Sequence, residues 1–206
     1  FGTKYLLEEL TRAGRADVAL QMVQQRTFPG WGHMLDRGAT TLWEHWEFSD
    51  NTYSHNHPMF GSVSEWFYKG IGGIRPHPEA VGFDRFFIEP NPVGDLRWAE
   101  TRYRSARGTI VSNWRVENDV LHLEVEIPVN TVAEVLVPTR SAQEVTESGG
   151  PAGEAAGGRS LPTARDDVAR YQLSPGRYPF VAPRPPTAPR STLAPPPPPP
   201  PPTPPP

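Results

Sequence analysis

The apolar positions of the first 75 residues recur at the spacing of amphipathic helices. Leu6, Leu10 and Ala13 share one helix face, and Gly14 interrupts the run. A second set with the same spacing follows at once, namely Ala16, Ala19, Leu20 and Val23. The pattern therefore predicts two antiparallel helices joined by a tight turn.

A third helix is predicted to begin at Ser62. Ser62 and Glu65 match the S-x-x-E capping box, in which each side chain satisfies a free backbone N–H group of the other residue. Apolar residues at helical spacing follow, and Gly72 and Gly73 end the helix before Pro76. Because so few helices leave an apolar face uncovered, the pattern indicates part of a larger helical assembly.

From residue 80 onward, the pattern changes to the alternation that is typical of half-buried strands. The clearest run is 121–127, where Leu, Leu, Val and Ile alternate with His and Glu. Asn118 and Asp119 supply a turn between this run and a strand at 109–116. Further strands are predicted at 86–88, 98–104, 132–137 and 168–173, and a glycine-rich loop at 149–158 is expected to be too flexible to pack. Short strands with frequent turns favour an antiparallel β-sandwich.

These patterns divide the chain into three regions. We predict a helical region at 1–79, a β-sandwich at 80–181 and a disordered proline-rich tail at 182–206. The tail prediction rests on composition, since 15 of the 27 prolines lie in residues 183–206. Proline fixes φ and removes the amide donor, so such a segment forms an extended polyproline II rod rather than a core.

Charge and cysteine content exclude several classes of function. The chain has 20 Lys and Arg against 23 Asp and Glu, a net charge of −3, which is not the basic surplus of a nucleic-acid-binding protein. No apolar run approaches the roughly 18 residues that cross a bilayer. The absence of cysteine removes disulfides and thiolate metal ligands. We therefore expect no nucleic-acid or membrane partner, while the compartment and the oligomeric state stay open.

The candidate chemistry lies between the predicted helices, in residues 28–66. This segment holds four of the six tryptophans and four of the six histidines. Such a mixture suits a sugar site, because an indole stacks on the C–H face of a pyranose while polar groups bind its hydroxyls. Glu44 lies between Trp43 and Trp46, where partial desolvation would favour uptake of a proton from water. The alternative is that both tryptophans are core residues and that Glu44 pairs with an arginine or caps a helix.

Two other patterns carry less weight. His55 and His57 form an H-x-H pair that can bind zinc, but no third ligand stands at a familiar spacing, so we predict no metal site. The glycines at 70, 72 and 73 end a helix instead of following a strand, which does not fit a phosphate-binding loop. No cofactor is predicted.

Two separated motifs in the same segment carry a family resemblance. They are GWGHMLDRGATTLWEHWE and NHPMFGSVSEWFYKGIGGI, followed downstream by the segment from IEPNPVGDLRW to AEVLVP. The motifs resemble the end of the (α/α)6 barrel of bacterial α-L-rhamnosidases, glycoside hydrolase family 78, whose signature reads approximately G-A-T-T-x-W-E-x-W and then N-H-x-x-F-G-S-V-x-E-W. The downstream segment resembles the C-terminal β-sandwich of that family. The resemblance runs from about Tyr5 to Phe180.

The resemblance implies an inverting glycosidase that releases terminal α-linked L-rhamnose, so the expected partner is a rhamnose-containing carbohydrate. The glutamate between the motif's tryptophans is the family's proposed general base and falls on Glu44. His57, the histidine of the N-H motif, would hydrogen-bond the rhamnose hydroxyls. Further candidates for the pocket wall are Asn56, Trp43, Trp46 and Trp31. The family's general acid lies upstream of these motifs, so we expect a C-terminal fragment that is inactive by itself.

Three alternatives remain open at this point. The barrel could have another glycosidase specificity, or the chain could be a non-catalytic carbohydrate-binding module whose sandwich recognises sugar. The aromatic cluster lies in the helical region, and the sandwich keeps only scattered aromatics such as Trp98 and Trp114, which argues against the second interpretation. A structural protein that acts through its proline-rich tail is the third.

Overall fold

The computed structural model describes residues 2–50 and 53–185. Helices occupy the first part of the chain, and a β-sandwich follows, as predicted. The tail prediction covers 182–206, of which 186–206 lies outside the described residues, while Ala182 and Pro183 belong to the last strand. The domain boundaries therefore stay predictions. Within the described ranges, no helix is both long and apolar enough to span a membrane.

Two helices near the start of the chain pack against each other, as the periodicity predicts. They are α1, Thr3–Arg12, and α2, Ala16–Gln24. Gly14 lies between them with a φ of 76°, a left-handed conformation that glycine adopts without steric strain. Ala16, Ala19 and Leu20 of α2 are buried. In α1 the buried residue is Leu7 instead of the predicted Leu6, which is 41% exposed, while Leu10 packs against the core as predicted.

The capping box predicted at Ser62 does not form, and the helical segment there begins before Ser62. Helix α3, Trp31–Asp36, comes first and was not predicted. Helix α4, Pro58–Gly61, follows and leads into α5, Val63–Trp66, and a π-helical turn at Phe67–Ile71. Ser62 has helical dihedral angles, and its hydroxyl donates to Met59 O at 2.6 Å instead of capping a free N–H group. The capping residue is His57, directly before Pro58.

The second half of the chain forms two sheets within the described residues. The five-stranded sheet contains β1 (Ile74–Pro76), β2 (Arg85–Ile88), β6 (Val132–Pro138), β9 (Gly158–Leu161) and β10 (Val168–Leu173), in the order β1-β2-β6-β10-β9. The six-stranded sheet contains β3 (Trp98–Ser105), β4 (Gly108–Glu117), β5 (Val120–Ile127), β7 (Thr146–Glu147), β8 (Gly150–Pro151) and β11 (Gly176–Pro183), in the order β3-β4-β5-β11-β7-β8.

The strand pairing is almost entirely antiparallel, which agrees with the predicted sandwich. The exception is β2, which pairs with β6 in parallel register. Asn118 and Asp119 both have positive φ values, and they form the predicted tight turn between β4 and β5. Leu121, Leu123 and Val125 of β5 are buried, so the alternating pattern faces the core.

The glycine-rich segment at 149–158 is packed, which contradicts the expected flexible loop. It contains β8 and a 3₁₀ turn, Ala152–Glu154. Ala152 is only 2% exposed, and its N–H group donates to Val145 O at 3.0 Å. Gly149 and Gly157 have positive φ values, so these glycines allow tight turns rather than mobility.

The helical region and the sandwich share one continuous hydrophobic core. At their junction, Trp114 of β4 donates its Nε1–H to Ile71 O at 3.1 Å, and Ser112 donates its hydroxyl to Gly72 O at 2.7 Å. Both acceptors lie at the end of the π-helical turn, where backbone carbonyls lack partners within the helix. The sheet therefore fixes the position at which the helical region ends.

Candidate active site

Two stretches that pair with each other, 41–50 and 53–57, bring the candidate residues together, and we call this pair the hairpin. Glu44 N–H donates to Ser54 O at 2.8 Å, and His57 N–H donates to Leu42 O at 2.9 Å. The Thr41 hydroxyl also donates to His55 O at 2.5 Å. Because these bonds link the two stretches, Glu44 and His57 lie next to each other.

The Glu44 carboxylate is held at one oxygen and open at the other. Its Oε2 accepts a hydrogen bond from Ser54 N–H at 2.9 Å, which fixes the orientation of the group. Its Oε1 lies 3.8 Å from His57 Nε2, too far for a direct hydrogen bond. The side chain is 38% exposed. Glu44 therefore retains an oxygen that can accept a proton from water.

The imidazole of His57 is oriented by the helix that it caps. Its Nδ1 accepts a hydrogen bond from Met59 N–H at 3.1 Å. Since Nδ1 is the acceptor, the neutral ring carries its proton on Nε2, and this N–H group lies on the side of Glu44. His57 thus presents one donor beside an accessible carboxylate oxygen.

Trp43 and Trp46 belong to the hairpin itself, and Trp31 packs against it through Trp46. Trp31 and Trp43 are buried, and Trp31 donates its Nε1–H to Phe60 O at 3.0 Å. Trp46 is partly buried, with its ring centroid 5.2 Å from that of Trp31 and 3.9 Å from that of Phe60. The core alternative, which covered Trp43 and Trp46, therefore fits Trp43, whereas Trp46 keeps some exposed surface; Trp31 is a core residue as well.

The remaining members of the histidine motif differ in their surroundings. Asn56 is exposed, and its backbone N–H donates to Ser54 Oγ at 3.1 Å. His55 Nε2 instead lies 2.5 Å from Ser49 O, and the imidazole stacks on the ring of Phe48 with centroids 4.3 Å apart. His55 therefore stabilises the hairpin. Residues 2–50 and 53–185 contain no group of three or more His, Asp or Glu side chains that could hold a metal ion.

A second charged region lies at the junction of the helices and the sandwich. The Glu89 carboxylate is paired with Arg75 and Arg165 beside a cavity of about 270 Å³. Burial lowers the pKa of Arg165, but its hydrogen bonds to Asp167 and Glu89 outweigh that effect and raise the pKa. These carboxylates are engaged by arginines, whereas Glu44 has an open oxygen. Glu44 is therefore the better candidate for acid–base chemistry.

Sequence reasoning missed the backbone groups that orient the site. The N–H groups of Ser54 and Met59 hold Glu44 and His57, but every residue except proline has such a group. Phe60, whose ring contacts both Trp31 and Trp46, belongs to the N-H-x-x-F motif, so that position did carry a signal.

Two family models match the chain in succession. Residues 1–71 match the bacterial alpha-L-rhamnosidase 6 hairpin glycosidase domain, and residues 73–151 match the bacterial alpha-L-rhamnosidase C-terminal domain. The chain belongs to the bacterial α-L-rhamnosidase family. The motif resemblance is thereby confirmed, and so is the expected order of a six-hairpin barrel segment followed by the rhamnosidase sandwich.

Individual rhamnosidases agree with this assignment. An alpha-L-rhamnosidase from Streptomyces avermitilis is 33% identical over 187 residues, which cover 87% of this chain and 17% of that protein. The crystal structure of the Streptomyces avermitilis alpha-L-rhamnosidase complexed with L-rhamnose gives a TM-score of 0.77 at 32% identity, covering 88% of this chain and 17% of that one. The structure of the alpha-L-rhamnosidase from Dictyoglumus thermophilum gives a TM-score of 0.76 at 36% identity. That match covers 87% of this chain and 20% of that one.

This chain corresponds to a small part of these rhamnosidases. It spans about a fifth of their length or less, and the matched part is the end of the glycosidase barrel together with the following sandwich.

Proposed function

We propose that this chain supplies the general base and part of the sugar pocket of an inverting α-L-rhamnosidase that releases terminal α-linked L-rhamnose. The observation that carries the proposal is the open Oε1 of Glu44 beside the Nε2–H of His57. Family membership gives the reaction class, and one related structure contains L-rhamnose.

In the proposed mechanism, Glu44 Oε1 accepts a proton from a water molecule as the water oxygen bonds to the anomeric carbon. The bond from that carbon to the leaving oxygen breaks on the opposite face, and a second carboxyl group donates the proton that the leaving oxygen needs. In inverting enzymes, the two carboxyl groups stand roughly 6.5–9.5 Å apart, so that the water fits between base and sugar. The resemblance places that acid in a segment upstream of the matched motifs.

The neighbouring groups have supporting roles in this proposal. The Ser54 N–H group keeps Glu44 Oε2 occupied, so Oε1 is the oxygen presented to water. His57 Nε2–H donates to a rhamnose hydroxyl and fixes the ring relative to the base. Asn56 and the exposed part of Trp46 complete the wall, while Trp31 and Trp43 act through packing.

The test is hydrolysis of an aryl α-L-rhamnoside by the product of the gene extended upstream of Phe1. Glu44→Gln keeps the shape and the Ser54 hydrogen bond but removes the base, so we expect kcat to fall about 10²–10⁴-fold. Glu47→Gln is the matched control, since Glu47 is an exposed glutamate of the same hairpin, and it should retain wild-type turnover.

Two outcomes would contradict the proposal. Wild-type turnover that is unchanged in Glu44→Gln would show that another group is the base. A lack of turnover on any rhamnoside would point to another glycosidase specificity.

We also expect the 206-residue chain alone to be inactive, because the acid is missing from the matched motifs. Turnover well above background by that chain would show that it contains its own acid.

A further inference from the structure

A groove crosses the outer face of the six-stranded sheet, away from the hairpin. It has a volume of about 520 Å³ and is lined by residues of β3, β4, β5 and β11. Strand pairing aligns Trp98, Arg115, His122 and Val181 in one row across these strands. Residues directly opposite each other on paired strands share one face, so the row forms the floor of the groove. We call this feature the sheet groove.

Trp98 is the most unusual residue of the sheet groove. It is 66% exposed, although tryptophan is highly buried on average. Trp114, on the neighbouring strand, faces the opposite way, is buried, and donates to Ile71 O. Trp114 therefore serves the core, whereas the indole of Trp98 contributes little to packing. An open indole beside a groove is a surface on which an apolar ligand face can stack.

Polar groups surround this indole. A second row across the same strands contains Glu100, Asn113 and Glu124. Asn113 Oδ1 accepts from Thr101 N–H at 3.1 Å, which leaves its amide N–H groups able to donate. The groove therefore combines a flat aromatic face with donors and acceptors, which is the combination that a pyranose needs.

The charges that line the sheet groove favour neutral glycans over anionic ones. Its lining includes two arginines and three glutamates, and Arg115 is paired with Glu117 at 2.9 Å. The lining thus has no positive surplus that would attract a polysaccharide of uronic acids. We propose that the sheet groove binds a pyranose unit of a neutral glycan, with Trp98 stacking on the ring and His122 and Asn113 bonding its hydroxyls.

This site is separate from the proposed base. None of the strands that line the sheet groove belongs to the hairpin, so a substitution in one site leaves the side chains of the other intact. Glycan binding at the sheet groove is consequently independent of rhamnoside hydrolysis. It would hold a polymer near the enzyme without taking part in bond cleavage.

The test is affinity electrophoresis of the 206-residue chain in native gels that contain one polysaccharide each. The neutral probes are a rhamnan, a β-glucan and a galactomannan, and the anionic probe is polygalacturonate. We expect at least one neutral probe to retard the chain. Trp98→Ala should weaken that binding at least about tenfold, which is typical of the loss of a central aromatic contact.

Three controls define the result. Tyr5→Ala removes another exposed aromatic residue, in α1, and should bind like the wild type. His57→Ala removes the proposed sugar contact beside Glu44 and should also bind like the wild type, which separates the sheet groove from the proposed rhamnose pocket. Thermal unfolding should show that Trp98→Ala stays folded, because the removed ring is mostly exposed. The proposal is overturned if no neutral probe retards the chain, if Trp98→Ala binds normally, or if polygalacturonate alone retards it.

Discussion

At the scale of single residues, the capping contact of His57 can be separated from its proposed contact with the sugar. Its Nδ1 caps α4 by accepting from Met59 N–H, and its Nε2–H lies beside Glu44. His57→Ala removes both, so the free energy of unfolding should fall by about 1 kcal/mol, the usual cost of a lost N-cap. His57→Asn restores a good capping side chain and should be nearly as stable as the wild type.

Urea unfolding of the two His57 variants measures the capping role, and rhamnoside hydrolysis by the extended protein measures the other. We expect both variants to raise KM, since neither keeps the Nε2–H group. Equal stability of His57→Ala and the wild type would show that the Met59 hydrogen bond contributes nothing. Normal KM in His57→Asn would exclude His57 from sugar binding.

Tyr178 should make stability depend on alkaline pH. Its hydroxyl is buried and donates to Ser174 O at 2.9 Å, and burial, together with the charge of Glu147, raises the pKa of Tyr178 above 10.0. Well below pH 10 the hydroxyl is protonated in both states. Near pH 10 the unfolded chain begins to lose the proton while the folded hydroxyl keeps it, so the free energy of unfolding falls as the pH rises through the folded pKa.

Tyr178→Phe tests this coupling through urea unfolding at pH 8 and pH 11. At pH 8 the variant should lose about 1 kcal/mol with the hydrogen bond. Between pH 8 and pH 11 the variant should lose less stability than the wild type, because it lacks one of the tyrosines whose pKa is raised in the folded state. Some loss should remain, since burial also raises the pKa of Tyr171. Identical pH dependence of the two proteins would contradict the prediction.

Candidate side chains could be predicted only where a motif contains them, and their roles stay predictions. The motif gave Glu44 and His57 as candidates, and the structure places them side by side. It did not distinguish Trp31 and Trp43, which are buried, from Trp46, which is partly exposed. A tryptophan on a core face and one on a pocket wall satisfy the same sequence pattern, because both prefer apolar surroundings.

At the scale of elements, the helix after the hairpin shows why a capping motif can mislead. Ser-x-x-Glu also occurs inside helices, and here Ser62 bonds back to Met59 O within the helical segment. Ser62→Ala should therefore change the free energy of unfolding by less than about 0.5 kcal/mol. Urea unfolding beside His57→Ala compares the two positions directly. A loss of about 1 kcal/mol in Ser62→Ala would support the capping box after all.

Long strands were predictable from their alternation, and the short strand β2 was predicted as well, at 86–88. The runs of β4 and β5 alternate over many residues, and both strands form as predicted. Strands β1 and β9 have three and four residues, too few for a clear period. The parallel pairing of β2 with β6 joins strands far apart in sequence, so no local pattern specifies it.

At the scale of the whole molecule, the helical region and the sandwich should unfold together. Separating the two regions would expose the apolar core that they share and would break the hydrogen bonds from Ser112 and Trp114 to the end of the π-helical turn. Neither region should therefore stay folded without the other. The fluorescence of the tryptophans, four of which lie in the helical region, and far-ultraviolet circular dichroism, which also reports the strands of the sandwich, should therefore give one coincident transition in urea.

Gly72 provides the sharpest test of this coupling. A Cβ at Gly72 would lie 2.4 Å from Thr101 Oγ1 on β3, so Gly72→Ala should cost about 1–3 kcal/mol through overpacking at the junction. Both spectroscopic transitions should shift by the same amount. Gly61→Ala is the matched control, because a Cβ there meets nothing within 4 Å, and in a helix alanine is favoured over glycine. If the circular dichroism and fluorescence transitions of Gly72→Ala no longer coincided, each region would fold by itself.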